Sequence, residues 1–355
     1  MPSGRILVTG GAGFVGANVA IALAGREAGA KVIAFDNLSR RGSELNLPRL
    51  REAGVDFVHG DVRDKADLLA LDRIDALVEC SAEPSVMAGV DGSPDYVIRT
   101  NLMGAYHCLE LARRDNAQVI FLSTSRVYPL RHLLGIAIDE AETRFEISDA
   151  QELPGVSPRG INEAFPLWGA RTMYGATKLS AEHLIEDYID GYGLRAVVNR
   201  FGVIAGPWQM GKVDQGVFTY WMLAHYFKQP LSYIGFGGSG KQVRDLVHID
   251  DVVDLIAAQL AFPDEWSGHI GNAGGGREVS LSLLETTELC AEMTGNRLEI
   301  GSAGEDRPGD VPIYISDCSL LFSRTDWRPT HDARAILSDI FGWIEANEHA
   351  IRAAL

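Results

Sequence analysis

A tyrosine and a lysine four positions apart, Tyr174 and Lys178, form the pattern with the clearest chemical potential in this sequence. In a helix, residues at this spacing share one face, so the lysine ammonium would lie beside the tyrosine phenol. A positive charge next to a phenol favours the phenolate, which can take a proton from an alcohol and later return it. The same spacing is common in ordinary amphipathic helices, so the pair alone does not establish a catalytic role.

A threonine, Thr124, follows the short apolar segment from Val119 to Ser123, which has the composition of a β-strand. In an open parallel sheet, ligands bind outside the carboxyl ends of the strands. The Thr124 hydroxyl could therefore hold a substrate alcohol while Tyr174 takes its proton. The alternative is a threonine that only satisfies backbone groups at a strand end.

A glycine-rich turn near the N-terminus predicts a phosphate-binding site. The strand-like segment Arg5 to Thr9 runs directly into Gly10-Gly11-Ala12-Gly13-Phe14-Val15-Gly16, and a helical stretch follows. Gly10 permits a tight turn, Gly13 lets the backbone approach a pyrophosphate, and Gly16 lets helix and strand pack closely. The phosphates would lie at the positive end of the helix. A glycine turn without a ligand is the alternative.

A carboxylate after the second predicted strand indicates which dinucleotide would bind. The strand from Lys31 to Phe35 ends in Asp36, which lies 36 − 16 = 20 residues after Gly16. An acidic residue at this point can accept hydrogen bonds from both hydroxyls of the adenosine ribose and would repel a 2′-phosphate. The sequence therefore predicts NAD rather than NADP.

Strands continue to alternate with helices along the first two hundred residues. Further predicted strands are 55–59, 76–80 and 196–200, and a helix is predicted over 96–113. This alternation predicts an α/β fold with a doubly wound parallel (Rossmann) sheet. We expect an NAD-binding domain over 1–200, to which 243–262 return, and a smaller, interlocked substrate domain over 201–355.

Composition limits the classes of partner. The chain has 355 residues, 46% of them hydrophobic, and a formal net charge of −16, which disfavours binding to nucleic acid. Four widely separated cysteines predict free thiols in a cytoplasmic protein. Because no apolar segment reaches the roughly 18 residues of a membrane span, we expect no membrane association. The nine histidines show no metal-ligand spacing, so we expect no metal.

Taken in this order, these motifs resemble those of the extended short-chain dehydrogenase/reductase family of nucleotide-sugar enzymes. Further matching segments are Gly60-Asp61-Val62-Arg63, Asn101-Leu102-Met103-Gly104 and Val243-Arg244-Asp245. The resemblance implies Thr124, Tyr174 and Lys178 as the catalytic set. It also implies NAD bound by Gly10, Gly13, Phe14, Val15, Asp36, Asn37, Ser39, Arg40, Asp61, Val62, Asn101, Tyr174 and Lys178.

Within this family, two segments are similar to those of the cytidine diphosphate (CDP) sugar 2-epimerases. These are Asp36-Asn37-Leu38-Ser39-Arg40-Arg41-Gly42 and Thr124-Ser125-Arg126-Val127-Tyr128. The related 4,6-dehydratases carry Asp-Glu directly after the threonine, where this chain has Ser125-Arg126, so epimerisation is favoured. The resemblance implies a homodimer and a CDP-sugar substrate that contacts Thr124, Arg126, Asp214, Gln215, Gly216, Arg244 and Arg307.

Other functions remain open. Epimerisation at C4 of a uridine diphosphate (UDP) hexose would use the same catalytic set, and a non-catalytic dinucleotide-binding protein would need none of it. The chain also departs from the family: Glu79-Cys80-Ser81-Ala82 stands where a His-x-Ala-Ala type sequence is usual, and Thr172-Met173 replaces the commoner Ser-Pro. Residues 207–210 differ from the 2-epimerase pocket as well.

Overall fold

A seven-stranded parallel sheet lies at the centre of the computed structural model, which describes residues 4–26, 30–90, 92–211 and 215–354. The spatial order is β3-β2-β1-β4-β5-β6-β7, with every neighbouring pair parallel. The predicted doubly wound Rossmann sheet is thereby confirmed. The strands are β1 (Arg5–Thr9), β2 (Lys31–Asp36), β3 (Asp56–His59), β4 (Ala76–Glu79), β5 (Gln118–Thr124), β6 (Ala196–Phe201) and β7 (Ile270–Ala273).

Helices cover both faces of this sheet because alternate strand residues point to opposite sides. Ile6 and Val8 of β1 pack beneath α1 (Phe14–Arg26) and α4 (Ile249–Ala261), whereas Leu7 packs on the other side. That second face is covered by α2 (Gly104–Asp115) and α3 (Met173–Tyr192). Burial of each leucine or isoleucine side chain stabilises the folded state by about 2 kcal/mol. The two apolar layers therefore hold the strand ends in place.

A second, smaller sheet follows β6. It consists of Val203–Ala205, Val243–His248, Ser280–Ser282 and Ile313–Tyr314. A separate apolar core contains side chains of the helices Val217–Phe227, Leu283–Thr294 and Ala333–Ala346. The chain crosses between the two parts, because α4 returns to the first sheet directly after the strand Val243–His248 of the second. The strand β7, from the C-terminal half, then pairs with β6.

The remaining elements are short. The helices are Asn46–Glu52, Lys65–Leu69, Asp95–Val97, Leu130–Leu133, Pro263–Trp266, Ser319–Arg324 and Glu348–Ala354; the turns are a π-helical Ile98–Met103 and the 3-10 helices Ser43–Leu45, Ser125–Val127 and Phe236–Gly238. The strand pairs are Ile138–Glu140 with Phe145–Ile147, Val156–Ser157 with Gly160–Ile161, and Leu231–Ile234 with Ile300–Ala303. The four cysteines are free, as predicted. Across the described ranges, no helix combines the length and apolarity that crossing a bilayer requires.

Candidate active site

The glycine turn between β1 and α1 leaves no room for a side chain at Gly10, Gly11 or Gly16. Gly10 has a φ of +62°, and a Cβ on Gly16 would lie 2.1 Å from the Gly10 carbonyl oxygen. The Gly13 N–H donates to that same carbonyl at 2.9 Å, which closes the turn. The main chain at the start of α1 is therefore open to a ligand, in a place where backbone N–H groups and the helix dipole favour phosphate. This cradle fits the pyrophosphate of a dinucleotide.

Asp36, at the end of β2, lies beside the turn. Its carboxylate accepts hydrogen bonds from the backbone N–H groups of Ala12 at 3.1 Å and Leu38 at 2.7 Å. Burial raises the pKa of Asp36, and these hydrogen bonds oppose the rise. The orientation of the carboxylate is thus determined by the backbone, as expected for a group that binds ribose hydroxyls.

The helix α3 begins where the sequence predicted, and its first turn brings Tyr174 to the cavity. Thr172 precedes the helix, and its hydroxyl oxygen accepts a hydrogen bond from the Gly175 N–H at 3.2 Å. A Cβ on Gly175 would lie 2.0 Å from the Arg126 carbonyl oxygen. The start of α3 therefore packs directly on the turn that follows β5. The strand β5 itself ends at Thr124.

Lys178, one turn further along α3, is only 2% exposed. Its Nζ lies 3.4 Å from Oε2 of Glu79, which is also buried at the end of β4, and 4.3 Å from the centroid of the Phe121 ring. The Ser81 hydroxyl donates to the other Glu79 oxygen. The lysine is held by a buried ion pair that the residue spacing did not reveal.

These groups line one cavity of about 400 Å³ along the carboxyl edge of the sheet. One end is the glycine turn and Asp36, and the other is formed by Thr124 and Tyr174. Its wall includes fifteen of the residues that the sequence predicted: Gly10, Gly13, Phe14, Val15, Asp36, Asn37, Ser39, Arg40, Val62, Thr124, Arg126, Tyr174, Lys178, Gln215 and Gly216.

Four other predicted residues are absent from the described lining of the cavity. Asp61 is paired with Arg63, which lowers the pKa of Asp61 to about 2. Asn101 accepts from the Glu83 N–H at 2.7 Å and donates to the Glu83 carbonyl at 3.0 Å, so it holds the loop after β4.

The other two, Arg244 and Arg307, belong to the C-terminal half of the chain. The Arg244 guanidinium donates to Asp310 at 2.6 Å. Asp214 lies outside the described residues. The binding and catalytic roles of all twenty predicted residues, including the fifteen in the cavity wall, stay predictions.

The sequence analysis predicted no role for several residues that line the cavity. Cys80 and Ser81 follow β4, and Trp208, Gln209 and Met210 lie in the loop after the strand Val203–Ala205. The position of β4 between β1 and β5 explains the first pair, because a strand in the middle of the sheet ends beside the ligand. All five residues lie in segments where the sequence departs from the family pattern. That departure was the sequence signal that could have identified them.

Two histidines outside the cavity lining, His248 and His331, bear on the expectation that the protein binds no metal. Ligand atoms of His248, His331 and Asp339 lie within 4.8 Å of one another. However, His248 Nδ1 accepts the Asp250 N–H at 3.1 Å, so the neutral ring carries its proton on Nε2, the atom facing Asp339 at 3.6 Å. A metal ion would have to displace that proton, and the absence of a metal site stays a prediction.

The glycine turn, the carboxylate after β2 and the tyrosine-lysine helix at one sheet edge define a dinucleotide-dependent protein of the short-chain dehydrogenase/reductase type. The chain belongs to the NAD dependent epimerase/dehydratase family, whose model matches residues 6–274. The predictions of NAD as cofactor and of an enzyme of the epimerase type are confirmed.

Relatives match over nearly the whole chain. A CDP-paratose 2-epimerase from Salmonella typhi is 30% identical over 96% of this chain and 98% of its own. A UDP-glucose 4-epimerase from Azospirillum brasilense is 27% identical over 98% of this chain and 94% of its own. The solved structure of a UDP-glucose 4-epimerase from Thermus thermophilus in complex with NAD has a TM-score of 0.75, 26% identity, and covers 96% of this chain and 99% of its own.

Proposed function

We propose that the protein epimerises a nucleotide sugar, and that its substrate is a CDP-sugar whose configuration changes at C2. The observation that carries this proposal is the single cavity shared by Tyr174, Thr124 and the glycine turn. A protein that only bound the dinucleotide would not need a phenol and a hydroxyl beside the far end of the ligand site. The CDP preference is supported by the similarity to a CDP-paratose 2-epimerase and by the Ser125-Arg126 sequence after Thr124.

The chain's own residues would handle the proton. Tyr174 as phenolate takes the proton of the sugar hydroxyl, while Thr124 orients that hydroxyl by a hydrogen bond. Bound NAD would supply a reversible hydride acceptor. The resulting keto-sugar turns over in the cavity, and Tyr174 returns the proton when the carbon is reduced on its opposite face. Lys178, one helical turn after Tyr174, lines the same cavity. The reaction is redox-neutral overall.

Two polar residues of the cavity wall, Arg126 and Gln215, support the proposed binding of the substrate. Arg126 follows Thr124 by two residues, and its side chain lines the cavity. Gln215 also lines it and donates to Glu83 Oε1 at 3.3 Å, which links the loop after β4 to the second part of the chain. We propose that these two side chains contact the sugar or its diphosphate, and that Gly216 leaves space beside them.

A UDP-hexose 4-epimerase is the second candidate, favoured by the similarity to UDP-glucose 4-epimerases. To test this, the purified NAD-loaded protein is incubated separately with CDP-paratose and with UDP-glucose. The coupling constants of the sugar-ring protons are then followed by NMR. A change in the H2 coupling constants of the CDP-sugar supports the proposal. Change only at H4 of the UDP-sugar selects the second candidate, and no turnover of either sugar by an NAD-loaded protein contradicts both.

We further propose that the protein is a cytoplasmic homodimer, built through the helical segment 95–115 and α3. Tyr96, Met103 and Tyr192 on these segments are exposed apolar or aromatic side chains. Burial of exposed apolar side chains stabilises an interface, so Met103→Glu should dissociate the dimer. Light scattering of the wild type and variant measures this, and a monomeric wild type contradicts it.

A further inference from the structure

The backbone of Trp208 lies in the left-handed region, with a φ of +72°. A bulky residue rarely adopts this conformation, because its Cβ then crowds the main chain. Such a conformation persists only where surrounding contacts hold it, and it is common at ligand sites. Trp208 belongs to the loop 207–210, in which Trp208, Gln209 and Met210 line the cavity. The contacts that hold this tryptophan therefore also shape the cavity wall.

The indole of Trp208 contacts both parts of the chain. The guanidinium carbon of Arg49, from the helix Asn46–Glu52 of the first part, lies 4.1 Å from the centroid of the indole. A guanidinium over an indole ring is attracted by the negative charge on the face of the ring. Trp343, which is buried in the core of the second part, has its ring centroid 5.8 Å from that of Trp208. One side chain thus joins the dinucleotide-binding part to the second part.

Arg49 is also connected to the glycine turn through two asparagines. Its Nη1 donates to Asn46 Oδ1 at 2.7 Å, and its Nη2 donates to Asn18 Oδ1 at 2.8 Å. Because the guanidinium occupies both amide oxygens, the amide nitrogens face other acceptors. Asn46 Nδ2 donates to the Ala12 carbonyl at 2.9 Å, and Asn18 Nδ2 donates to the Phe14 carbonyl at the same distance. Arg49 therefore orients both amides beside the candidate pyrophosphate cradle.

The loop 207–210 makes further contacts with the first part of the chain. The Pro207 carbonyl accepts a hydrogen bond from Asn18 Nδ2 at 3.3 Å. Met210 packs on Gly42, because a Cβ on Gly42 would lie 2.9 Å from Met210 Cγ. Both Gly42 and Met210 line the cavity. The loop after β2 and the loop 207–210 thus meet at the cavity wall.

Gln209 attaches the same loop to the second part. The Thr219 hydroxyl donates to Gln209 Oε1 at 2.7 Å, and Gln209 Nε2 donates to the Ile204 carbonyl at 3.0 Å. Thr219 is fully buried, whereas Arg49 is only partly buried. Separation of Trp208 from Arg49 exposes less of the interior than separation of Gln209 from Thr219. The contact with Arg49 is therefore the one that can open.

We propose that Arg49 and Trp208 form a clamp that fixes the loop 207–210 across the NAD-binding end of the cavity, so that NAD enters and leaves when the clamp is open. Arg49 is then a positioning residue that acts through Trp208. On the proposed function, NAD is regenerated in every cycle and does not need to leave, so a clamp that slows its release suits the reaction.

The test measures how fast NAD leaves the protein. Protein loaded with radiolabelled NAD is mixed with an excess of unlabelled NAD, and the label that stays bound is counted after gel filtration at successive times. Arg49→Met removes the guanidinium and keeps an unbranched side chain. We expect NAD release to become about tenfold faster, the size of effect that loss of a partly desolvated cation–π contact produces.

A comparison of rate and affinity separates a clamp from a lost binding contact. The dissociation constant for NAD is measured by equilibrium dialysis, and the release rate divided by this constant gives the entry rate. A clamp hinders passage in both directions, so entry should also be faster in Arg49→Met. A dissociation constant that rises by the same factor as the release rate would mean unchanged entry, and this would overturn the inference.

A double variant tests whether the two residues act through one contact. Trp208→Leu removes the ring, and we expect it to accelerate release about as much as Arg49→Met does. The double variant Arg49→Met/Trp208→Leu should then release NAD no faster than the faster single variant, because the same interaction is lost once. Effects that multiply in the double variant would show two independent contributions and overturn the inference.

Arg328→Met is the matched control. The Arg328 guanidinium lies 4.2 Å from the centroid of the Phe322 ring and donates to main-chain carbonyls, outside the described lining of the cavity. Its release rate should equal that of the wild type. Equal acceleration by Arg328→Met would overturn the inference.

Circular dichroism confirms the folding of each variant, and Arg49→Gln takes the place of Arg49→Met if the latter does not fold. A wild-type release rate in a folded variant without the Arg49 guanidinium overturns the inference. Because no nucleotide sugar is present in these measurements, that result would leave the proposed function intact.

Discussion

Lys178 Nζ and Glu79 Oε2 lie 3.4 Å apart, and each residue is 2% exposed. This ion pair joins the first turns of α3 to the end of β4, two elements that are 99 residues apart in the chain. Because an ammonium and a carboxylate are both costly to bury alone, each residue requires the other. The contact therefore couples the orientation of the candidate catalytic helix to the strand that lies beside β1.

Removal of one partner should destabilise the fold. We expect Glu79→Ala to lower the free energy of unfolding by about 3 kcal/mol, because an uncompensated buried charge remains. The double variant Glu79→Leu/Lys178→Met should recover most of that stability without recovering turnover. Urea unfolding near neutral pH measures the effect. A double variant as unstable as Glu79→Ala would show that the charges are not the cause.

Removal of the candidate base, Tyr174, should greatly reduce turnover and leave NAD binding unchanged. We expect Tyr174→Phe to lose about 10²- to 10⁴-fold in turnover, the usual contribution of a positioned acid or base. Bound NAD should be retained, as measured by mass spectrometry of the purified variant. Tyr226→Phe is the matched control, since its hydroxyl donates to Glu348 and lies outside the cavity lining. Undiminished turnover by Tyr174→Phe would contradict the assigned role.

The stabilities of two glycine variants should reveal the close packing of α3 on the turn after β5. Gly175→Ala would place a methyl group 2.0 Å from the Arg126 carbonyl oxygen, so we expect a loss of about 1 to 3 kcal/mol and reduced activity. Gly191, near the other end of the helix, has no neighbouring atom within 4 Å of the position that a Cβ would take. Gly191→Ala should stabilise by up to about 1 kcal/mol. Equal thermal unfolding of the two variants would contradict this packing.

A buried histidine should make stability depend on pH. His269 is 2% exposed, and burial, aided by the charge of Arg324, lowers its pKa to about 4. Because the folded value lies below the ordinary value of about 6.5, the unfolded chain binds the proton more readily, so stability falls as pH falls from about 6.5 to about 4. The difference of about 2.5 units corresponds to about 3 kcal/mol.

The variant His269→Gln isolates this contribution, since its amide does not titrate. Asp245, whose pKa burial raises to about 6, acts in the opposite direction and is common to both proteins. The difference in unfolding free energy between wild type and variant, measured at about pH 7.5 and about pH 4.5, should therefore change by about 2 kcal/mol in favour of the variant at low pH. A constant difference would contradict the buried neutral state of His269.

The local parts of this protein were predictable from sequence. Six strands of the main sheet, the glycine turn, Asp36 and the start of α3 each depend on a few consecutive residues, whose alternation, turn chemistry or helical spacing is visible in the chain. The seventh strand, β7, was not predicted, because Ile270-Gly271-Asn272-Ala273 is short and carries little strand preference. It exists as a strand because β6 offers an open edge with which it pairs.

The charge balance of the site was decided only by the tertiary structure. The sequence placed Tyr174 beside Lys178, but it did not show that Glu79 meets Lys178, that Asp310 meets Arg244, or that Asn101 holds the loop after β4. Each of these contacts joins residues from distant parts of the chain, through the order of strands in the sheet and the packing of helices upon it. An electrostatic interaction depends on distance and burial, and neither quantity is encoded by the spacing of residues along the chain.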